Sequence, residues 1–280
     1  FLKNTFPRDL SMEGLKVAMD VGNGATYKVA PAVFRELGAD VTVIHDRPNG
    51  LNINDRCGSQ HTEELRRVVQ ETGSAIGLAY DGDGDRLIAV DEAGREIRGD
   101  QVLMICATDL KRRDRLKNNL LVTTVMSNLG LRVACDRLGI IHHASAVGDR
   151  NVLEDMQRLG GVLGGEDSGH MIFLDRHTTG DGTLSSLQLV ATMLRSGRPL
   201  SELATVMDIF PQRLVNIDVT KKPPVEDIDG LADAIERVET ELEGQGRVLV
   251  RYSGTQNMCR VMVEGPTVEL TDRYAEQIAD

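Results

Sequence analysis

The stretch from Tyr80 to Arg86 reads YDGDGDR and sets three carboxylates, Asp81, Asp83 and Asp85, on alternate residues with glycine between them. Three like charges in one tight turn repel one another, and without a cation at least one of them holds its proton to higher pH. A divalent ion resolves the conflict. Hard carboxylate oxygens favour magnesium, which keeps coordination positions for water or a phosphate oxygen. A calcium loop of the EF-hand type is the first alternative, because the three aspartates fill its early acidic positions and Glu92 its last. It fails because Arg86 stands where that loop needs glycine, and because the flanks alternate like strands instead of forming helices. An ordinary acidic surface turn accounts for the glycines but not for three carboxylates between apolar strands.

Five further segments carry groups to weigh for binding or reaction. GGEDSGH presents Glu166, Ser168 and His170 in a glycine-flanked loop between two strands, a set suited to sugar hydroxyls, although a polar hairpin turn explains this segment better when it is taken alone. RYSGTQNMCR gathers Arg251, Ser253, Thr255 and Arg260 around Gly254. Two guanidinium groups, two hydroxyls and free turn amides are what a phosphate dianion needs, with a surface turn as the alternative. VGDRN places Asp149 and Arg150 at the opening of a helix, where a cap and a solvated arginine are the plain explanation. DVGNGATYK has only G-x-G and lacks the third glycine of a dinucleotide loop, so it reads as strand-to-helix packing. NINDRCGSQH, with His61 at a helix start, is undecided on spacing, and His142 and His143 read as core and edge residues of a strand.

The elements that position these loops follow from periodicity. Residues 15–46 give an apolar strand, a Gly-rich turn, a helix ending at Gly38 and a second strand from Asp40, which is a βαβ unit. The helix HTEELRRVVQETG then leads to the strand AIGLAY, which delivers the chain to the aspartates at its carboxyl end, where α/β sheets place ligands. RLIAVDEAGREI predicts a hairpin turning at Glu92 to Gly94, and a second α/β alternation runs from Asp100 to the helical segments TLSSLQLVATMLRSG and PLSELATVM. Beyond Pro211 the order becomes strand, helix, strand, strand, helix, predicting a small α+β domain.

The chain has 280 residues, a length that predicts two or three domains. A formal charge of -11 argues against a nucleic-acid or anionic-membrane partner, since phosphate backbones select basic faces. There is no apolar run of bilayer length and no signal-peptide pattern at the start, so a cytoplasmic protein is expected. The four cysteines, Cys57, Cys106, Cys135 and Cys259, are scattered without a C-x-x-C pair and read as reduced, buried thiols.

Singly the loops are ambiguous, but the order DGDGDR, VGDR, GGEDSGH, RYSGTQNMCRVMVEG is specific. The chain resembles the α-D-phosphohexomutases over essentially its whole length. PNGLNINDRCGSQH, the GGE-x-SGH form of the sugar loop and RYSGT followed by RVMVEG are most similar to the members that act on glucosamine phosphate. The resemblance implies two phosphohexomutase-type α/β domains with mixed sheets, at 1–95 and 96–208, followed by a smaller α+β phosphate-binding domain at 209–280. It implies Mg2+ on Asp81, Asp83 and Asp85, with Arg86 beside the transferred phosphoryl group. Glu166, Ser168 and His170 would serve the sugar, with Asp149 and Arg150 on a substrate-facing loop. Arg251, Ser253, Gly254, Thr255 and Arg260 would serve the phosphate that is not being transferred.

The implied activity interconverts D-glucosamine 6-phosphate and D-glucosamine 1-phosphate through a phosphoserine and a bisphosphate. The family's serine loop, of the S-A-S-H-N-P kind, is not among these 280 residues, and the nucleophile is expected on a further N-terminal domain in cis. By itself the chain is therefore expected to be inactive, and the resemblance admits a homodimer. A mannose or glucose phosphate mutase and a non-catalytic sugar-phosphate module are the rival readings. One departure is Asp167, where the amino-sugar members carry glutamine, a difference that bears on sugar specificity more than on the reaction.

Overall fold

The computed structural model describes residues 1–254 and 256–279. Contacts divide the chain into two compact units, residues 1–127 with 131–207, and residues 128–130 with 208–280. Among the described residues no helix is long and apolar enough to cross a membrane.

In the larger unit a short helix α1 (Leu2–Thr5) precedes the first sheet, formed by β1 (Lys16–Asp20), β2 (Asp40–Ile44), β3 (Ile76–Tyr80), β4 (Leu87–Asp91) and β5 (Glu96–Ile97), with helices α2 (Val29–Glu36) and α3 (Glu63–Thr72) between strands. The strand order is β2-β1-β3-β4-β5, parallel across the first three and antiparallel thereafter. β3 and β4 are buried at every position, so they read as continuous apolar runs without alternation. Register sets Asp20 opposite Ile44 on one side and Ala79 on the other, bringing the ends of β1, β2 and β3 to one edge. The turn predicted at Glu92 to Gly94 joins β4 to β5.

The second layer contains α4 (Gly99–Arg112), β6 (Leu120–Thr124), α5 (Leu129–Leu138), β7 (Ile141–Ser145), α6 (Asp149–Leu159), β8 (Leu163–Gly165), β9 (Met171–Phe173), α7 (Gly182–Ser196) and α8 (Leu200–Leu203). Its sheet runs β7-β6-β8-β9, with only β9 antiparallel. The two sheets share one apolar core. α7 is buried from Gly182 to Met193 and touches β3, β4 and β9, while α4 touches β4 and β8. A helix wrapped by protein on all sides has no polar face, which is why TLSSLQLVATML lacks strong amphipathic patterning. Leu78, Leu87, Leu103, Leu121 and Leu187 are all inaccessible in this core. Each contributes about 1.5–3 kcal/mol on burial.

The smaller unit is a three-stranded antiparallel sheet in the order β10-β12-β11, from β10 (Gln212–Asp218), β11 (Arg247–Tyr252) and β12 (Met258–Glu264), with helices α9 (Leu231–Glu241) and α10 (Val268–Ala279). Val238, Val261, Val263, Tyr274 and Ile278 belong to its separate core. The strand, helix, strand, strand, helix order is the one predicted beyond Pro211.

Candidate active site

The carboxylate loop leaves β3 at Tyr80, whose ring is fully buried and whose hydroxyl hydrogen-bonds Ser186 Oγ of α7 at 2.9 Å. That partner satisfies the one polar atom an otherwise apolar anchor would strand. Beyond the anchor the loop packs on the turn that follows β1. Ala25 N donates to Gly82 O at 2.8 Å, and a Cβ on Gly24 would lie 2.4 Å from that same oxygen. The glycines of VGNG are therefore a seat for the aspartate loop.

Asp81 Oδ1 accepts from Gly84 N at 3.0 Å and Arg86 N at 3.2 Å, which curls the loop around its first carboxylate. Burial and a hydrogen bond with Asp85 push the Asp81 carboxyl up to about 6, against the Arg86 amide and charge, which pull it down. Burial is the larger cause, and the Asp85 contribution is the one that crowding predicts. Asp83 is exposed and Asp85 partly so. Without an ion the three do not offer oxygens within 4.8 Å of one another; among the described residues only Asp20, His45 and Cys57 do so. The donor set nevertheless fits a hard divalent cation: carboxylate oxygens only, one half-buried and reluctant to ionise, two open to solvent.

The glycine-flanked loop between β8 and β9 meets this loop directly. Leu87 N donates to Gly169 O at 3.0 Å, and Arg86 and His170 form an isolated antiparallel pair. His170 is buried, and its Nε2 lies 3.6 Å from Asp85 Oδ2 and 3.9 Å from Asp149 Oδ2. Glu166 Oε1 accepts from Gly148 N at 3.0 Å and Glu166 Oε2 from Ser168 Oγ at 3.4 Å, tying the loop to the start of α6. Asp81, Asp85, Arg86, Asp149, Glu166, Ser168 and His170 thus come together through three loops of one unit. Arg86 Nε and His170 Nδ1 are buried without hydrogen-bond partners. Arg150 does not join them. Its side chain is 86% exposed and pairs with Glu154 one turn along α6.

In the smaller unit Arg251 and Arg260 stand opposite each other on β11 and β12. Burial first, then the Arg260 charge, lower the Arg251 pKa. Arg260 Nε is buried and unpartnered, while its Nη2 donates to Gln256 Oε1 at 2.9 Å. Ser253 is buried and its Oγ accepts from Gln256 N at 3.2 Å. Thr255 lies outside the described residues. Two facing guanidinium groups, one with an unused donor, make a fixed cationic cradle that an anion would neutralise.

Models of the phosphoglucomutase/phosphomannomutase domains match in series: α/β/α domain II over residues 2–94, α/β/α domain III over 98–210 and the C-terminal domain over 214–280. The chain belongs to the phosphoglucomutase/phosphomannomutase family. It is 68% identical over all 280 residues to the phosphoglucosamine mutase of Syntrophobacter fumaroxidans and 57% identical to that of Syntrophus aciditrophicus, and spans 62% of the length of each. The fold is also that of Aspergillus fumigatus N-acetylphosphoglucosamine mutase solved with GlcNAc-6P and magnesium, at TM-score 0.78 and 20% identity, covering 99% of this chain and 67% of that one.

One residue of this phosphoglucomutase/phosphomannomutase chain escaped the sequence reading, and the contacts of another were not foreseen. Lys222, in the loop KKPPVED, donates through Nζ to Ser253 O and Gln256 O, both at 2.8 Å, and clamps the turn that follows β11. Nothing marks it among other surface lysines except its place between two strands. Asp167 pairs with Arg98 at 3.0 Å and accepts from Asp100 N at 3.4 Å. Its carboxylate is therefore engaged with the start of α4.

Proposed function

We propose that this chain carries the metal, sugar and phosphate loops of a phosphoglucosamine mutase that interconverts D-glucosamine 6-phosphate and D-glucosamine 1-phosphate. The observation that carries the reading is the direct backbone joint between the DGDGDR and GGEDSGH loops. It pairs Arg86 with His170 and joins Leu87 N to Gly169 O, so the two loops share one backbone junction. The choice of amino sugar is supported by the 68% identity to a phosphoglucosamine mutase.

Asp81, Asp83 and Asp85 hold Mg2+, which when bound neutralises charge on the transferring phosphoryl group. Phosphoryl transfer depends chiefly on positioning and electrostatic stabilisation, so the remaining residues act as fixed donors and acceptors. Arg86 turns its unused Nε–H to a phosphoryl oxygen. Glu166 and Ser168 accept sugar hydroxyls on the lone pairs that their internal bonds leave free, and His170 Nε2 stands within reach of both Asp85 and Asp149. In the smaller unit Arg251, Ser253, Gly254, Thr255 and Arg260 are assigned to bind a phosphate dianion, the one not being transferred. Because the bisphosphate must present either end, these are generic anion donors that read charge and not the sugar. The phosphoryl donor is a phosphoserine that these residues receive from outside the 280. The domains are bounded near residues 95 and 208.

The test is a mutase assay of the protein carrying this chain on glucosamine, glucose and mannose phosphates, with and without chelator. Preference for glucosamine phosphate and loss of turnover on chelation are expected. Preference for a non-amino sugar would reassign the substrate, and turnover by these 280 residues alone would overturn the placement of the nucleophile.

A further inference from the structure

Outside the proposed site, the carboxyl edge of the first sheet holds a second group of metal-ligand chemistry. Asp20 ends β1, His45 follows β2, and Cys57 lies in the loop before α3. Each offers one atom, carboxylate oxygen, imidazole nitrogen and thiol sulfur, and the three lie within 4.8 Å of one another. Asp20 and Cys57 are buried, while the His45 side chain is 22% exposed and opens the group to solvent.

The imidazole has a specific problem. His45 Nδ1 is 3.1 Å from Asp20 Oδ2, and Nε2 is 3.1 Å from Glu64 Oε2. One neutral imidazole cannot donate to both carboxylates. The Nδ1 atom is in fact buried without a well-formed hydrogen bond, despite its distance to Asp20. If the proton sits on Nε2 toward Glu64, the Nδ1 lone pair faces a carboxylate oxygen and a sulfur. A carboxylate on the far nitrogen is the usual partner of a metal-ligating histidine, because it fixes the tautomer and raises ligand basicity. The Asp20 carboxylate is likewise oriented from behind, accepting from Gly22 N and Gly58 N, both at 2.9 Å.

We propose that Asp20, His45 and Cys57 bind a borderline-soft divalent cation of the zinc type, with Glu64 orienting the imidazole. Nitrogen, sulfur and oxygen donors select such an ion over magnesium, and three protein ligands leave one position for water. Binding displaces the thiol proton, since burial and the Asp20 charge otherwise keep Cys57 neutral, with its pKa at about 11. The site touches the floor of the carboxylate loop. Gly58, whose amide holds Asp20, packs so closely that a Cβ there would lie 2.4 Å from Tyr80 O, the carbonyl just before Asp81.

Co2+ is the probe that separates this group from Asp81, Asp83 and Asp85, because only a thiolate ligand gives an intense sulfur-to-metal charge-transfer band. The protein titrated with Co2+ in a large excess of Mg2+ is expected to show that band. Asp83→Asn should keep it, and Cys57→Ser and His45→Ala should each lose it, with thermal melts confirming that the variants are folded. Zn2+ should abolish the band by displacement. Absence of a charge-transfer band in the parent protein, its survival in Cys57→Ser, or its loss in Asp83→Asn would each overturn the proposal.

Discussion

Gly169 is the point at which the joint between the two loops can be tested with one methyl group. Its φ of 95° lies in the left-handed half of the map, and a Cβ there would stand 2.3 Å from Leu87 O and 3.0 Å from Leu87 N. Both neighbours are backbone of the strand that leaves the carboxylate loop, so no side-chain rotation relieves the contact. Gly197 supplies the control. It caps α7 at φ 64°, with nothing within 4 Å of a Cβ. Alanine at Gly197 carries only left-handed strain of about 1–2 kcal/mol, offset by roughly 0.4–1 kcal/mol from the stiffer unfolded chain. Alanine at Gly169 carries the same terms plus an overpacking cost of about 1–3 kcal/mol.

The difference between the two variants isolates the contact. At roughly 2–4 °C per kcal/mol for a chain of this size, Gly169→Ala is expected to melt about 2–12 °C below Gly197→Ala. Where the loop shifts to relieve the clash, Glu166 and Ser168 move relative to Arg86, and displacements on the order of 1 Å cost roughly a hundredfold in rate. Paired thermal melts of the chain and kcat/KM measurements on the protein that carries it read both effects. If the two variants match in both melting temperature and kcat/KM, the joint does not position the site and the reasoning fails.

Three further outcomes follow from the geometry. Arg260→Met removes one of the two facing guanidinium groups on β11 and β12; if they bind substrate phosphate as proposed, a charged hydrogen bond of about 1.5–3 kcal/mol predicts a KM rise of roughly tenfold to a hundredfold in the protein that carries this chain, and an unchanged KM would remove Arg260 from substrate binding. Lys222→Met cuts both bonds to the Ser253 and Gln256 carbonyls, so amide exchange should quicken in residues 253–257 while the β10 to β12 ladder keeps its protection; equal exchange in the loop would show that Lys222 does not clamp it. Asp155 is held well below the usual carboxylate range by Ser145 first, then Arg158 and His143. A depressed folded value means stability that is present above the unfolded pKa of about 4 and lost as pH falls through the folded one. Asp155→Asn should therefore melt lower than the parent at neutral pH, with the gap narrowing as pH drops below about 4; a gap independent of pH would show that the carboxylate charge is not responsible.

What the sequence disclosed and what it hid divide along a physical line. The strands that deliver the loops, and the raised carboxylate in DGDGDR, were legible because periodicity and crowding are properties of consecutive residues. Burial and Asp85 do push Asp81 up to about 6. The fusion of the two α/β layers around α7 was not legible, since a buried helix looks the same whether one sheet or two cover it. Asp167 stood out as a departure from the glutamine of the amino-sugar members, but its pairing with Arg98 was not legible, because that partner is distant in the sequence. Asp20 and Cys57 lie in segments that stood out for other reasons, and no spacing joins either of them to His45. They meet because parallel strands in register end at one edge, with Asp20 opposite Ile44, so residues far apart in the chain become neighbours one step beyond the sheet. Ligand sets assembled within a loop leave a spacing that can be read, whereas sets assembled across strand ends leave only a register, and register is fixed by the fold.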